Sequence, residues 1–514
     1  MPSASCWYAP TVMSHGAARR DRPIRACCWR RSRATKRGRW NMHETHEGYD
    51  VIVVGAGMAG HCAALEAARI GGRVLLLEKT ARYGGSTRMC GGAFAFAGTE
   101  VQQRNGIDDS SALLEEDLMK AGKYRNDPAL VHVYAERQYE AYQWLEALGL
   151  RFEKVSLSGA QSVPRNHSIS PVLVLETLHR AALEAGVVYR DQAPVARLVT
   201  ASSAGGARHV AGVQLASGER LLARGGVVIA TGGFSRSAEL VERFVPHLRQ
   251  ARPMGGEGNT GDGLRMAWAL GADLVDMAYA KGSFGAPVGE PLPGREDDAP
   301  RLLSAMYRGA IVVNKAGRRF CNESISYKAI GDRCLEQEDA LAFQVFDQTV
   351  MDQSSPLPTV ADYRAGLETG LIQQAESLEA LAGKLGIDPA GLAHTVERYN
   401  QACAGADEDE FGRTSLSTGY GKPTPVSTAP FYGLACTTGL TSTYCGLHVD
   451  TEARVLDVFQ APIVGLYATG EVMGGFHGET YMSGSSLAKG CIFGRLASRH
   501  AVARAREPGA QAPA

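Results

Sequence analysis

Continuous apolar runs recur along the chain at widely separated places. Asp50-Val-Ile-Val-Val54 is the first, with the pattern of a parallel strand buried on both faces. Residues 59–69 have helical composition, and Arg73-Val-Leu-Leu-Leu77 is a second buried run. Gly226-Val-Val-Ile-Ala230 and Gly465-Leu-Tyr-Ala-Thr469 repeat the strand pattern far downstream. Between them, residues 110–150 and 172–185 read as helices, with Tyr134, Tyr142 and Trp144 in their core. Residues 195–225 alternate like a small β-meander, turning at Gly205-Gly206 and Ser217-Gly218. Around 280–300 the composition shifts to Gly, Pro and acids, as at a crossing between domains, and 301–425 reads as an inserted α+β unit. A last helix runs from 484 to about 503, and no internal repeat is visible.

The turn after the first strand carries the first chemistry. Gly55-Ala-Gly57-Met58-Ala59-Gly60 joins strand to helix, and the second strand ends in Glu78 and Lys79. Gly55 permits the tight turn, Gly57 lets the backbone approach a pyrophosphate, and Gly60 lets helix and strand pack closely. The helix N-terminus offers free N–H groups to phosphates. Glu78 is placed to accept the adenosine ribose hydroxyls. This order specifies a dinucleotide but does not separate NAD from FAD.

Later glycines make that separation. Gly84-Gly85-Ser86-Thr87 and Gly91-Gly92 follow the second strand, Ala230-Thr231-Gly232-Gly233 follows the third, and Gly474-Gly475 follows Glu471. A nicotinamide domain would close within roughly 150 residues. Here glycine-rich segments recur from Gly55 to Gly475, as an extended FAD held from both ends of the chain requires. With 60 Gly in 514 residues, the excess over ordinary usage of roughly 7% fits such close backbone approaches.

Charge and cysteine change the picture only locally. The formal net charge is zero, yet residues 1–42 hold ten Lys/Arg and one acid, leaving 44 basic against 53 acidic residues downstream. A body near −9 argues against a nucleic-acid partner. The Arg-rich start reads as a transit-like leader or as a disordered basic extension over 1–46, with Met42 an alternative first residue. No run of 18 apolar residues suggests a membrane span. The eleven Cys form no CxxC pair, so no metal is expected, and their dispersal suits reduced thiols in the cytoplasm.

Taken together, Val53–Gly60, Glu78 with Gly84-Gly85-Ser86, Ala230–Gly233, Asn259-Thr-Gly-Asp262-Gly263 and Gly465–Val472 resemble the fumarate reductase and succinate dehydrogenase flavoprotein superfamily over residues 47–503. The resemblance implies an α/β fold: a Rossmann-like FAD-binding domain, split over 47–275 and 430–505, with an α+β cap at 276–429 and a disordered tail at 506–514. It implies cofactor contacts from Asn259, Asp262 and His477, and from Glu471 to the ribityl chain. It also implies that the helix start Ser485-Ser486-Leu487 faces the flavin pyrimidine edge, where N–H groups stabilise negative charge. Covalent attachment is not expected, because Ser86-Thr-Arg-Met-Cys90 holds no His. Asp262 is expected to cap the following helix, Arg308 and Arg318-Arg319 to be surface charges, and Cys90 and Cys445 to lie near the site.

Soluble fumarate reductases carry arginines in Asn-Glu-x-x-x-Arg and His-Gly-x-x-Arg patterns. This chain reads Asn322-Glu-Ser-Ile-Ser-Tyr327 and His477-Gly-Glu-Thr-Tyr481, and their catalytic His falls near Ser442 or Thr443. Without those guanidiniums a dicarboxylate loses its bidentate clamps. Both tyrosines resemble the 3-ketosteroid dehydrogenases, and Tyr481 with Ser483 resembles the branch that desaturates 5α-reduced 3-ketosteroids at the 4,5 bond. The implied activity is desaturation of a cyclic ketone or steroid next to its carbonyl. Tyr481 and a backbone N–H near Ser485 would polarise the ketone, Tyr327 would take the α-proton, and Tyr307, Tyr124 or Ser483 would relay it. Electrons would leave to a quinone-like acceptor. The alternatives are reduction of an α,β-unsaturated acid, as in fumarate or urocanate reductases, and flavin binding without turnover.

Overall fold

In a computed structural model the protein is described over residues 48–507, apart from 203–205, 207, 296–299, 357 and 418–420. The expectations for the basic extension and for most of the short C-terminal tail lie outside the described residues. An eight-stranded sheet organises the larger part. Its order is Arg454–Leu456, Pro462–Ala468, Arg220–Ile229, Tyr49–Val54, Val74–Leu77 and Val188–Arg190, with the hairpin Val195–Ser202/Arg208–Leu215 attached through Arg220–Ile229. From Pro462–Ala468 to Val188–Arg190 every pairing is parallel, with Val51 beside Val74 on one side and Gly226 on the other. The four residues Val51–Val54 are buried, which is why the sequence shows an unbroken apolar run there.

One reading of the sequence is refined by this sheet. The third meander strand and the buried run at Gly226–Ala230 form one continuous strand, Arg220–Ile229. Its first half pairs with the hairpin and its second half lies beside Tyr49–Val54. The alternating and the all-apolar patterns are two environments of a single element.

The helices Met58–Arg69 and Ser485–Ala505 pack together although they lie more than 400 residues apart in sequence. Ser498 Oγ donates to the Ala63 carbonyl at 2.6 Å, and Arg495 and Arg499 share Glu66 at 3.1 and 2.6 Å. The largest core takes residues from 51–280 and 440–502. Two smaller cores gather residues between 284 and 436. The second sheet, of six strands, is centred on Phe431–Leu440. Ser283–Pro287, inside the segment read as a crossing, already pairs with that strand. Among the described residues no helix is long and apolar enough to cross a membrane.

Candidate active site

The first strand ends at Val54, and the chain must then turn sharply under the third strand. Gly55 does so at φ 104°, and a Cβ there would meet the Ala230 carbonyl oxygen at 2.4 Å. A Cβ on Gly60 would lie 1.8 Å from the Gly55 carbonyl oxygen, so the helix can cross this turn only with glycine. Gly57 has space beside it, with only Thr87 Oγ1 at 3.6 Å and Gly84 O at 3.8 Å from a Cβ. It precedes Met58 and Ala59, and the Met58 N–H donates to Thr87 Oγ1 at 3.1 Å. Glu78 accepts from the Ala56 N–H at 3.1 Å and from Thr80 N–H and Oγ1 at 2.9 Å. Lys79 Nζ donates to Thr260 Oγ1 and Asp262 Oδ2, both at 2.6 Å. Asp262 does not cap the next helix as expected. Gly261, at φ 79°, is the N-cap, and the Asp262 carboxylate is taken by Lys79 and Thr260.

Three distant segments meet over this turn. Ser86 Oγ accepts from the Gly256 N–H at 2.9 Å and from Asn259 Nδ2 at 3.4 Å. The same Nδ2 donates to Glu471 Oε2 at 3.0 Å, and Glu471 Oε1 accepts from the Thr443 N–H at 2.8 Å. Burial pushes the Glu471 carboxyl above its usual range, against the pull of those donors. Gly232 and Gly233 pass beneath, where a Cβ on Gly233 would lie 1.9 Å from Thr443 Oγ1. Ala230 N–H closes the strand end on the Val54 carbonyl at 2.8 Å. Gly85 and Gly91 face open space, whereas a Cβ on Gly92 would strike the Ile169 carbonyl oxygen at 1.9 Å, so Gly92 serves packing. The hydroxyls of Thr231 and Thr469 are buried without a partner. A glycine-lined track, unpartnered hydroxyls and a helix N-terminus at each end fit an extended dinucleotide. Among the described residues no cluster of His, Cys, Asp and Glu is placed to hold a metal ion.

At the other end of this track, tyrosines converge. Tyr327 opens the helix Tyr327–Leu335, and its N–H donates to the Tyr307 hydroxyl at 2.7 Å. The Tyr481 oxygen accepts from the Gly484 N–H at 3.2 Å, just before the helix Ser485–Ala505. Its ring stacks on Tyr444, with centroids 5.3 Å apart and planes within 9°. His477 is buried with its ring 5.3 Å from both, and burial holds it well below the usual imidazole range, as a neutral ring. Ser483 is tied to a neighbouring loop: its N–H donates to the Gly159 carbonyl at 3.0 Å, and its own carbonyl accepts from Gln161 Nε2 at 2.9 Å. A Cβ on Gly159 would lie 3.1 Å from Ser483 Oγ and 3.6 Å from Tyr327 Cε1, which sets hydroxyl and ring side by side. Burial pushes the Tyr327 phenol far up, and the Ser483 hydroxyl pulls it the other way.

Some expectations change here. The Ser485 N–H and hydroxyl both turn to the Met482 carbonyl, at 3.3 and 2.7 Å. The donors aimed at the tyrosine are those of Gly484 and Ser486, so they polarise Tyr481 rather than stand beside it, and Leu487 packs inward. Tyr124 is 65% exposed and joins no relay, whereas Tyr307 fixes the backbone of Tyr327. Arg319 is not a surface charge: it is buried, bonded to Glu323 at 2.6 and 2.7 Å and to Asp409 at 2.7 Å. Glu479 reaches outward to Lys123. Burial pushes the Cys90 thiol up to about 11 and that of Cys445 further, so neither is a thiolate.

Two site residues escape the sequence reading. Tyr444 is buried against Tyr481, next to the Ser442-Thr443 pair; Thr443 itself serves Glu471. Lys328, 2% exposed, has its Nζ 5.1, 4.9 and 5.9 Å from the ring centroids of Tyr327, Tyr444 and Tyr481. A signal exists for it: Lys328, Gly331 and Cys334 fall on one buried helix face, where a lysine is out of place.

Relatives and solved structures share the fold and the family. A family model described as an FAD binding domain matches residues 50–487. The chain is 31% identical to a probable fumarate reductase of Shewanella frigidimarina over 88% of this chain and 75% of that one. It is 29% identical to a 4-oxocyclohexanecarboxylate 2-dehydrogenase of Sinomonas cyclohexanicum, over 88% of this chain and 92% of that one. An open flavocytochrome c3 fumarate reductase superposes with a TM-score of 0.77 at 30% identity, covering 90% of this chain and 79% of that one. A 3-ketosteroid-delta4-(5alpha)-dehydrogenase from Rhodococcus jostii RHA1 gives 0.68 at 27%, covering 90% and 98%. The glycine track, the split parallel sheet and these likenesses make the chain a member of the FAD-binding fumarate reductase and succinate dehydrogenase flavoprotein superfamily, an FAD-dependent oxidoreductase.

Proposed function

We propose that the protein desaturates a cyclic ketone next to its carbonyl, with a 3-ketosteroid or a smaller oxocyclohexane as substrate. The observation that carries this reading is the convergence of Tyr327 and Tyr481, at the two positions where the fumarate reductase pattern has arginines, with Ser483 beside Tyr327. A solved relative that acts on 3-ketosteroids and a curated one that acts on a cyclic oxo acid support it.

The α-proton of a ketone becomes acidic only when the carbonyl is polarised. Tyr481 is suited to that task, because its oxygen already accepts a backbone N–H and its own proton is left to donate. A donor so placed stabilises the developing enolate by several kcal/mol. Tyr327, lying beside Ser483, takes the α-proton. His477 and Tyr444, both buried, form an aromatic wall there with Tyr481, suited to excluding water from the reacting face. Glu78, Ser86, Asn259 and Glu471 would hold FAD, non-covalently, along the track. Bound FAD supplies the two-electron sink that accepts the β-hydrogen as hydride.

A second reading, reduction of an α,β-unsaturated carboxylate, is favoured by the names of the sequence relatives and by a buried cation at Lys328. It lacks the guanidinium clamps such a substrate uses. Electrons would pass to a quinone-like acceptor, and the eight unpaired cysteines among the described residues suit a reducing, cytoplasmic setting. The test is product analysis: incubation with a saturated cyclic ketone and a dye acceptor should yield the conjugated enone, two mass units lighter. A ketone recovered unchanged across 5α-reduced 3-ketosteroids and 4-oxocyclohexanecarboxylate would refute the reading.

A further inference from the structure

Lys328 has no duty in the mechanism above, yet its place is costly. A lysine side chain is rarely buried without a counter-charge. Here the Nζ donates to Ser283 Oγ at 2.8 Å and to the Lys281 carbonyl at 3.3 Å. The carboxylate one turn along its own helix, Asp332, is taken by Lys281 at 2.6 Å instead. Three tyrosine ring faces surround the rest of the head group. An ammonium over an aromatic face is attracted by the ring quadrupole, and the attraction grows when water is excluded. It grows further when the ring belongs to a phenolate, since the face then carries negative charge.

We propose that Lys328 is the positioning residue that makes Tyr327 a base: its ammonium, held against the tyrosine rings, stabilises the Tyr327 phenolate, and the two groups share one proton. The inference rests on the ketone-desaturase reading and deepens it. The transfer balances simply. The substrate C–H bond breaks, an O–H bond forms on Tyr327, and the electron pair remains on the substrate as an enolate whose oxygen meets Tyr481. Negative charge thus moves from Tyr327 to the ketone oxygen while the Lys328 cation stays beside both rings.

Burial is the largest cause for both groups: it pushes Tyr327 up, with Tyr481 and Tyr307 adding to the rise and Ser483 opposing it, and it pushes Lys328 down to about 7 against the pull of the nearby Asp332. In this proposal the two groups titrate as a pair: the first proton leaves at the lower value, and the phenolate–ammonium form is the fraction of that state in which Tyr327 has given it up. The other ionisable groups around Lys328 do not mimic this. Tyr444 and Tyr481 are pushed up by burial and Tyr307 is pushed up too; His477 is held neutral. Asp332 and Lys281 are paired with each other. Lys489, pushed down to about 8, donates to the Met473 carbonyl at 3.0 Å beyond His477 and is unchanged in the variants below.

The test uses the FAD-loaded protein with 5α-androstane-3,17-dione and with 4-oxocyclohexanecarboxylate. Two readouts are followed from pH 6 to 10: anaerobic bleaching of the flavin, and exchange of the ketone α-protons with deuterated water by NMR. Exchange is measured on dithionite-reduced protein, where proton removal is seen without oxidation. In the parent both rates should climb through about pH 7. In Lys328→Met only the buried Tyr327 phenol is left, which burial pushes far up, so the climb should leave the pH 6–10 window, and losing the opposite charge should cut exchange at pH 7 by roughly 10- to 1000-fold or more. Lys328→Gln provides the same comparison where the Met variant does not accumulate. A variant with full flavin content that keeps the parent's limb and rate, while Tyr327→Phe loses both, overturns this proposal and leaves the desaturase reading standing. A parent that neither exchanges nor bleaches with either ketone overturns both.

Discussion

The Tyr481 hydroxyl oxygen accepts a hydrogen bond from the Gly484 N–H at 3.2 Å. Gly484 is the left-handed N-cap of the helix Ser485–Ala505, so a helix N-terminus, positive by its macrodipole, polarises the phenol. The oxygen is occupied and its proton is directed elsewhere, which makes Tyr481 a donor. Tyr327 differs: its own N–H is bonded to the Tyr307 hydroxyl, its ring lies beside Ser483, and the Lys328 Nζ is 5.1 Å from that ring's centroid against 5.9 Å from that of Tyr481. Two residues of one type are thereby fitted for different tasks.

Removing the two hydroxyls separately tests this division. Tyr481→Phe should slow ketone-driven flavin reduction by roughly 100- to 1000-fold, the usual effect of losing one oxyanion donor. Tyr327→Phe should cost roughly 100- to 10,000-fold and should also suppress α-proton exchange. Both variants should keep their yellow colour and melting temperature, because ring packing is unchanged. Rates equal to the parent's would make both residues packing groups only.

Gly159 offers a steric test that leaves the hydroxyls in place. A Cβ there approaches Ser483 Oγ at 3.1 Å and Tyr327 Cε1 at 3.6 Å. Gly159→Val should displace that pair and lower turnover at least tenfold, on the order of the effect of misplacing a catalytic group, with FAD content unaltered. Parent-like kinetics would show that the loop over 158–161 stands clear of the reacting groups.

The cofactor track has an equally simple probe. Gly60→Ala would put a methyl 1.8 Å from the Gly55 carbonyl oxygen, and no flexible side chain can yield there. The purified variant should be colourless or insoluble, read by the flavin-to-protein absorbance ratio. A fully yellow Gly60→Ala protein would contradict the close crossing of helix and turn.

Much of this architecture is legible in the amino-acid sequence. Strands buried on both faces leave apolar runs, and a dinucleotide turn needs glycine where backbones touch, so Val51–Gly60 and Ala230–Gly233 declare themselves. Tyr327 and Tyr481 are legible because they replace arginines in a spaced pattern. Lys328 and Arg319 are not, because a charge is buried or exposed by what tertiary packing brings to it, and their partners lie up to 90 residues away. Asp262 misleads for a related reason: a carboxylate at a helix start suits a cap, but Lys79, 183 residues distant, claims it.

Acid should loosen the fold in a defined window. His61 is held neutral between the Gly57 carbonyl at 3.0 Å and His179 at 3.1 Å, and His167 between the Arg165 carbonyl and Thr99 Oγ1, both at 2.8 Å. Burial pushes each down to about 4. Between the unfolded value near 6.5 and about 4, only the unfolded chain binds these protons, so stability falls as pH drops through that range. Across that whole range each ring accounts for a loss on the order of 3 kcal/mol. The melting temperature should decline steadily from pH 6.5 to 4.5, and less steeply in His167→Gln. A flat profile would show that other groups compensate.

Anaerobic mixing of the oxidised, FAD-loaded protein with saturated cyclic ketones distinguishes ketone desaturation from reduction of an unsaturated acid. A 5α-reduced 3-ketosteroid or 4-oxocyclohexanecarboxylate should bleach the flavin band, and the reduced protein should not be reoxidised by fumarate or urocanate. Oxidised flavin that ignores every ketone, together with reduced flavin that fumarate or urocanate reoxidises, would contradict ketone desaturation.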